Sequence, residues 1–366
     1  MEKLFKLKEH GTDVKTEIIA GITTFLAMAY ILAVNPSYLG GIDGMSAGAV
    51  FSATAISAGI ATLCMAFFAN YPVALASGMG LNAFFAFTVC GAMGYSYKVA
   101  LTAVFIEGII FMLLSLFKFR EALVNKIPSN LKFAITAGIG LFIAIIALLN
   151  ANVVVASEST TVALGELSSP TVVLSLVGLL IIGALQHYKV PGGILLGILI
   201  TWVLGIMAQL VGWYVPNPEA GVYSVIPQFS LSSFEAPKMF QFDFGFIAKN
   251  VPAFILIVFT FLYTDIFDTV GTLIGVAEKG KLLDKDGSLP NATGALMADA
   301  VGTVVGACFG TSTVTSYVES SAGVAAGGRT GLTAVTTAVL FFISLIFAPI
   351  FTSIPSFAKT MIKQNR

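Results

Sequence analysis

The chain has 366 residues, of which 57% are hydrophobic and only 10% are Asp, Glu, Lys or Arg, and its formal net charge is zero. Soluble domains carry about 25% charged residues, so this composition excludes an ordinary soluble protein and indicates a polytopic membrane protein with the lipid bilayer as its surroundings. Without an excess of positive charge, nothing indicates a nucleic-acid partner.

Stretches of about 20 apolar residues predict an all-α polytopic fold with eleven membrane spans. In chain order the spans lie near residues 18–34, 47–69, 73–90, 99–117, 131–149, 170–187, 191–213, 249–276, 292–309, 312–327 and 332–354. Lys and Arg concentrate in the N-terminal segment and in the loops that share its side, which places the N-terminus in the cytoplasm. We therefore expect a multi-pass protein of the cell membrane. The basic tail breaks this charge rule, because an odd number of spans places it outside.

Two of the predicted spans, the third and the tenth, look interrupted. The third has Gly78 and Gly80 between a short strand-like run and a helical stretch. The tenth begins with a run rich in Thr and Val and continues through Ser316, Ser320 and Ser321. Both patterns predict a strand followed by a half-helix, and paired interruptions of this kind indicate a binding site at the membrane midplane. The alternative is that these small residues only allow close helix packing.

Among the carboxylates inside predicted spans, three are candidates for function, with no Lys, Arg or His close to them in those spans: Asp265 and Asp268 in the eighth, and Glu319 in the tenth. A charge at the bilayer centre costs at least about 2.5 to 3.5 kcal/mol, so such acids usually line a cavity and serve an ion or a substrate. Burial favours the neutral form of an acid, which suits the binding and release of a proton. Asp265 and Asp268 are three residues apart and are expected on one helical face. A packing role for Asp268 is the equal alternative.

A site built from acids constrains its ligand. Carboxylates accept hydrogen bonds from N–H donors, so a neutral, planar, N–H-rich solute or a cation fits, whereas an anion would call for Arg or Lys. Asn82 follows the Gly78–Gly80 break and adds an amide that can both donate and accept; core packing is its alternative role. Glu107 and Asp299 are expected to be structural acids bonded to Ser or Thr of neighbouring helices. The cysteines show no metal-binding spacing, and we predict neither a metal site nor a cofactor.

Four segments of the sequence resemble one known protein family. The chain resembles the nucleobase-cation symporters, in the AzgA-like adenine, guanine and hypoxanthine permease branch, through GTDVKTEIIAGITTFLAMAYILAVNP, ASGMGLNAFFAF, DIFDTVGTLIGVAEK and GTSTVTSYVESSAGVAAGGRTGLTAV. The resemblance implies two inverted seven-span repeats, with about eleven of fourteen spans present here. The implied domains are a cytoplasmic segment (1–17), the core of the first repeat (18–130), its gate (131–213), an inter-repeat loop (214–248), the core of the second repeat (249–355) and an atypical basic tail (356–366).

The resemblance also implies a function, namely the import of adenine, guanine or hypoxanthine by symport, with H⁺ favoured over Na⁺ as the coupling ion. By motif, Asp265 and Glu319 would hold the purine and the proton, and Asn82 and the Gly78–Gly80 backbone would contribute from the third span. The segment ESSAG at 319–323 replaces a QNxG-type signature, which favours salvage purines over xanthine. The full candidate set for substrate binding is Gly78, Gly80, Asn82, Asp265, Thr315, Ser316 and Glu319. The candidates for proton coupling are Asp265, Asp268 and Glu319.

Several alternatives stay open at this point. The three further spans that the resemblance implies do not follow the eleventh, which predicts a truncated product with little or no transport of its own. A carrier of the same fold for uracil or xanthine, and a channel or non-transporting receptor, are further options. An intramembrane aspartyl protease would need a GxGD-like motif and acids on two helices, so we predict no enzyme. The sequence also leaves a homodimer open.

Overall fold

The computed structural model describes residues 2–116, 129–157, 160–188, 190, 192–216, 224–226, 235–284 and 289–355. Helices dominate these residues. They are α1 (Glu2–Phe5), α2 (Val14–Met28), α3 (Ile31–Leu39), α4 (Ala47–Phe68), α5 (Met79–Ala83), α6 (Tyr97–Leu116), α7 (Ser129–Asn150), α8 (Pro170–His187), α9 (Gly193–Leu210), α10 (Gly245–Lys249), α11 (Val251–Gly280), α12 (Ala292–Phe309), α13 (Ser320–Ala325), α14 (Gly331–Ser344) and α15 (Ala348–Ser353). A π-helix, Phe84–Ala92, follows α5, and a 3-10 turn, Leu345–Phe347, follows α14.

The strands are short and form two separate pairs. They are β1 (Leu75–Ser77), β2 (Val154–Ser157), β3 (Thr161–Leu164) and β4 (Val314–Ser316). β1 pairs with β4 and β2 pairs with β3, both antiparallel. The β2–β3 hairpin lies between the predicted fifth and sixth spans, a position for which the sequence predicted no strand.

Eight helical segments in the described part of the chain are long and apolar enough to cross a membrane. They are Val14–Leu39, Ala47–Phe68, Tyr97–Leu116, Pro170–His187, Gly193–Leu210, Val251–Gly280, Ala292–Phe309 and Gly331–Phe351. Of the other predicted spans, the third and the tenth contain strands, and the fifth corresponds to α7. The count of eleven spans stays a prediction. The basic tail at 356–366 and parts of the 214–248 loop lie outside the described residues.

The chain divides into two compact units. One comprises Met1–Ser129 with Phe234–Ala348, and the other comprises Asn130–Ser233 with Pro349–Arg366. In the second unit, α8 packs closely on α9, because a Cβ added at Gly197 would lie 2.3 Å from Cγ1 of Ile182. The assignment of the predicted core, gate and loop boundaries stays a prediction.

Helix contacts in the first unit repeat between its two sequence blocks. α4 contacts α12. The contact of α2 with α14 corresponds to that of α11 with α6, and the contact of α4 with α14 corresponds to that of α12 with α6. Exchanging α2 with α11, α4 with α12 and α6 with α14 leaves these contacts unchanged. This is the arrangement of an inverted repeat. Small residues allow the close approach, since a Cβ at Gly302 would lie 2.7 Å from Cβ of Ala61. Helices in lipid associate through such small-residue contacts.

Candidate functional site

β1 and β4 bring the two interrupted spans together in the interior of the first unit. Leu75 pairs with Ser316, Ala76 with Thr315 and Ser77 with Val314, and all six residues are buried. Each strand leads directly into a short helix, α5 after β1 and α13 after β4. The strand followed by a helix that the sequence predicted for the third and tenth spans is therefore confirmed.

The backbone of each strand is bonded by a threonine from a neighbouring helix. Oγ1 of Thr62 in α4 accepts from the N–H of Leu75 at 2.9 Å and donates to its carbonyl at 3.2 Å. Oγ1 of Thr303 in α12 donates to the carbonyl of Val314 at 2.9 Å. Irregular backbone at membrane depth requires such partners, because lipid offers none. The same residue type on corresponding helices thus supports both strands.

Asp265 is fully buried on α11 and belongs to a hydrogen-bond network with β4 and α12. One turn further along α11, Oγ1 of Thr269 lies 3.4 Å from Oδ1 of Asp265, 2.8 Å from Oδ2 of Asp299 and 2.8 Å from Oγ1 of Thr315. A hydroxyl has one proton, so Thr269 donates to one of these groups at a time. The network fixes the orientation of α11 relative to the strand pair.

Asp299 anchors β4. Its Oδ1 accepts from both the backbone N–H of Ser316, at 2.9 Å, and the Ser316 hydroxyl, at 3.0 Å. The structural role that the sequence predicted for Asp299 agrees with these bonds to Ser and Thr. Ser316 is thus engaged by a protein carboxylate, and its role as a purine ligand stays a prediction. Glu107, the other expected structural acid, is fully buried on α6.

Asp265 and Asp268 lie three residues apart on α11, within one helical face, but they differ in burial, which the spacing alone did not indicate. Asp265 is fully buried, whereas Asp268 is exposed. Three residues along a helix rotate the side-chain direction by about 300°, so the two carboxylates point about 60° apart. The boundary between buried and exposed surface of α11 falls within that angle.

Glu319 precedes α13 and is partly buried. Its Oε1 accepts a hydrogen bond of 2.5 Å from the hydroxyl of Tyr30. The next residue, Ser320, accepts from the backbone N–H of Ala74 through its hydroxyl at 3.0 Å. Glu319 is therefore held at the point where the two interrupted spans meet. Tyr30 was missed in the sequence, where a tyrosine inside an apolar run suggests only packing.

Asn82 lies in α5, directly after the predicted Gly78–Gly80 break. The side chain is fully buried, and neither its Oδ1 nor its Nδ2 has a hydrogen-bond partner among the described residues. Leaving a buried donor or acceptor unsatisfied costs about 1 to 3 kcal/mol, so such a group calls for a functional explanation. Gly78 lets this segment approach β4, because a Cβ there would lie 2.8 Å from Cγ2 of Thr315. Gly80 is partly buried.

The segment that carries Asn82 also touches the helix that carries Asp265. The ring of Phe84 lies 5.0 Å from that of Phe261, and the ring of Phe85 lies 6.5 Å from it. Phe261 precedes Asp265 by one turn of α11. α11 also contacts β4 and α13. The elements that carry Asn82, Asp265 and Glu319 are therefore neighbours in one unit.

A further intramembrane carboxylate, Glu17, was missed in the sequence because it lies at the start of the first span among polar residues. It is fully buried on α2 and accepts hydrogen bonds from the backbone N–H groups of Arg329, Thr330 and Thr333, at 2.8, 3.3 and 3.1 Å. The Thr333 hydroxyl adds a further bond of 2.6 Å. Glu17 thereby caps the N-terminus of α14 from another helix.

Replacing Glu17 by Ala should lower stability by about 2 to 4 kcal/mol, because several N–H donors at the start of α14 lose their acceptor. We expect a lower apparent melting temperature of the purified protein and less protein in the membrane. Glu17→Gln keeps one carbonyl acceptor and should lose about half as much. A melting temperature of Glu17→Ala equal to that of the parent would contradict this capping role.

The fold matches solved membrane transporters. The transmembrane domain of a cyanobacterium bicarbonate transporter, BicA, superposes with a TM-score of 0.71 at 16% identity, covering 96% of this chain and 87% of that chain. The structure of SLC26A9 superposes with a TM-score of 0.66 at 12% identity, covering 96% of this chain and 57% of that chain. At such identities the likeness shows the fold alone. The predicted transporter fold is thus confirmed.

Sequence comparison is more specific. Adenine permease AdeQ of Escherichia coli (strain K12) is 43% identical over 358 residues, which cover 98% of this chain and 77% of the relative. Guanine/hypoxanthine permease PbuO of Bacillus subtilis (strain 168) is 46% identical over 362 residues, which cover 97% of this chain and 80% of the relative. The Permease family model, Xan_ur_permease, matches residues 15–362. The resemblance drawn from the four segments is confirmed: this chain is a multi-pass membrane transporter, not an enzyme, and it belongs to the Permease family.

Proposed function

We propose that this protein imports the purine nucleobases adenine, guanine and hypoxanthine by symport with protons. The observation that carries the proposal is the buried amide of Asn82, whose two polar atoms have no hydrogen-bond partner among the described residues. It lies on an element next to those that carry Asp265 and Glu319. The relatives named as adenine and guanine/hypoxanthine permeases support the same substrate class.

The chemistry of these groups matches a purine edge. A purine base offers ring N–H donors together with nitrogen or oxygen acceptors. Carboxylates accept from N–H groups, and an amide donates and accepts side by side. A ligand that pairs with Asn82 would satisfy an amide that is otherwise costly to bury. None of the proposed ligand side chains is cationic, which favours a neutral base over an anion.

The burial of the acids supports proton coupling. Asp265 is fully buried, and Glu319 is partly buried at the start of α13. Carrying a carboxylate through the hydrocarbon layer is costly, so taking up a proton favours the movement of a loaded site. We assign the coupled proton to Asp265 and Glu319, and we give Asp268 a lesser part because its side chain is exposed.

The test is uptake of radiolabelled hypoxanthine, guanine and adenine into proteoliposomes that contain the purified protein, with an imposed pH gradient. We expect accumulation when the interior is alkaline and none when the gradient is collapsed by a protonophore. Accumulation driven by a sodium gradient alone would overturn the choice of ion. Uracil or xanthine competing more strongly than hypoxanthine would overturn the choice of substrate. Protein-free liposomes are the control.

Asn82→Ala should weaken hypoxanthine binding about tenfold, because a pair of ligand hydrogen bonds is lost. Thermal stability should hold, since the side chain has no partner among the described residues to lose. Asn35→Ala is the matched control: Nδ2 of that buried amide donates to Thr54 at 2.7 Å and to Thr311 at 2.8 Å, so stability should fall. Equilibrium binding and membrane-level blots on both variants decide. Parallel losses of affinity and abundance in Asn82→Ala would favour a packing role.

A further inference from the structure

Tyr30 lies where the first span is interrupted. α2 ends at Met28 and α3 begins at Ile31, and the carbonyl of Tyr30 accepts from the N–H groups of Ala33 and Val34, both at 3.0 Å. The Tyr30 side chain is fully buried. Its hydroxyl donates to Oε1 of Glu319, a residue 289 positions away in the sequence. One hydrogen bond therefore joins the irregularity in the first span to the start of the half-helix in the tenth.

The two partners differ in how firmly they are held. The Tyr30 backbone is fixed by the hydrogen bonds of α3, and a tyrosine side chain has only two torsions before its hydroxyl. A glutamate side chain has three torsions and loses more rotamer freedom when it is ordered. A rigid donor beside a flexible carboxylate sets the direction in which that carboxylate presents its oxygens. Hydrogen bonds to a charged acceptor are also stronger than neutral ones.

We infer that Tyr30 is the positioning residue for Glu319: its hydroxyl holds Oε1 and so orients the carboxylate for a purine N–H. The part that concerns the purine rests on the proposed function. A phenol can both donate and accept, so protonation of Glu319 reverses the direction of the bond without breaking it. Tyr30 can thus remain in contact with Glu319 through both protonation states.

The surroundings of Glu319 carry other charges that must stay constant in any test. α13 contacts α2 and α11. The Lys279 ammonium donates to the hydroxyl of Ser321 at 3.3 Å, two residues after Glu319. The titratable side chains on those two helices are Lys15, Glu17, Tyr263, Asp265, Asp268, Glu278 and Lys279. Tyr30→Phe alters none of them, so its effect reports the removal of one hydroxyl.

The first experiment is a double-mutant cycle on the purified full chain, with equilibrium binding of radiolabelled hypoxanthine and thermal unfolding as readouts. Tyr30→Phe should weaken binding about tenfold, because the acceptor carboxylate loses its orienting bond. In the Glu319→Ala background, where the Tyr30 hydroxyl has no carboxylate to orient, the same change should have less than about a twofold effect. Tyr38→Phe, a second buried tyrosine of the first span, is the matched control and should leave the affinity within about twofold of the parent. A tenfold loss in both backgrounds would assign Tyr30 to packing and overturn the inference.

The second experiment needs no purine. Dicyclohexylcarbodiimide reacts with protonated carboxyl groups in apolar surroundings, and the modified Glu319 peptide can be quantified by mass spectrometry at a fixed pH. Tyr30→Phe removes the hydrogen bond that Oε1 of Glu319 accepts, which leaves the carboxyl group more accessible to the reagent, so Glu319 should be labelled faster than in the parent. Tyr38→Phe should be labelled at the parent's rate. Equal rates for Tyr30→Phe and the parent would overturn the inference. Faster labelling in a protein that binds no purine would support Tyr30 and overturn the proposed function.

Discussion

Asp265→Asn should weaken purine binding at least about tenfold, since a hydrogen bond to a charged group contributes roughly 1.5 to 3 kcal/mol. The amide has nearly the shape of the carboxylate, so packing around the fully buried position is preserved. The neighbouring Thr269 hydroxyl keeps Asp299 and Thr315 as partners, both at 2.8 Å. The loss should therefore appear in the dissociation constant of hypoxanthine, measured on purified protein, and not in the melting temperature.

The matched variant is Asp268→Asn. It makes the same chemical change three residues away on the same helix, but at an exposed position. We expect its affinity for hypoxanthine to stay within about twofold of that of the parent, in line with surface substitutions. A larger loss in Asp268→Asn than in Asp265→Asn would reverse the assignment of the two acids.

Asp299→Ala should destabilise the protein by about 2 to 6 kcal/mol, because at least two buried donors lose their acceptor at about 1 to 3 kcal/mol each. The substitution removes the acceptor for the backbone N–H and the hydroxyl of Ser316, and one partner of Thr269. β4 would keep only the Thr303 bond of those described between it and α12. We expect poor membrane abundance and a melting temperature many degrees below that of the parent.

Asp299→Asn separates the effects of charge and hydrogen bonding. Its amide oxygen can still accept from the Ser316 N–H, so this variant should retain most of the stability that Asp299→Ala loses. Measurement of both melting temperatures in one detergent gives the comparison. Full stability of Asp299→Ala would show that β4 does not depend on this carboxylate.

The interrupted spans could be predicted from the sequence because their residues conflict with a continuous helix. Gly78 and Gly80, and the Thr- and Val-rich start of the tenth span, mark a break inside an otherwise apolar segment. The π-helix Phe84–Ala92 could not be predicted in the same way. Its residues are ordinary for a helix, and the wider turn depends on packing against neighbouring elements and not on local preference.

Part of the site could be predicted because acidic residues are unusual inside apolar segments. Asp265 and Glu319 stand out on that ground, and their helices do lie next to each other. The spacing of Asp265 and Asp268 does not encode where the buried surface of α11 ends, so the sequence grouped an exposed acid with a buried one. Tyr30 and Glu17 were missed because their significance comes from partners about 300 residues away.

The pairing of β1 with β4 has a consequence for folding of the chain during its synthesis and membrane insertion. Tyr317 and Ser77, which are joined by a hydrogen bond beside the strands, are 240 positions apart in the chain. β1 enters the membrane with backbone groups whose partners have not yet been synthesised, and lipid cannot supply replacements. Translation must therefore pass residue 316 before β1 can pair with β4 and the first repeat can complete its fold. Until then, water, neighbouring helices or an insertion chaperone must provide hydrogen-bond partners for the backbone N–H and C=O groups of β1.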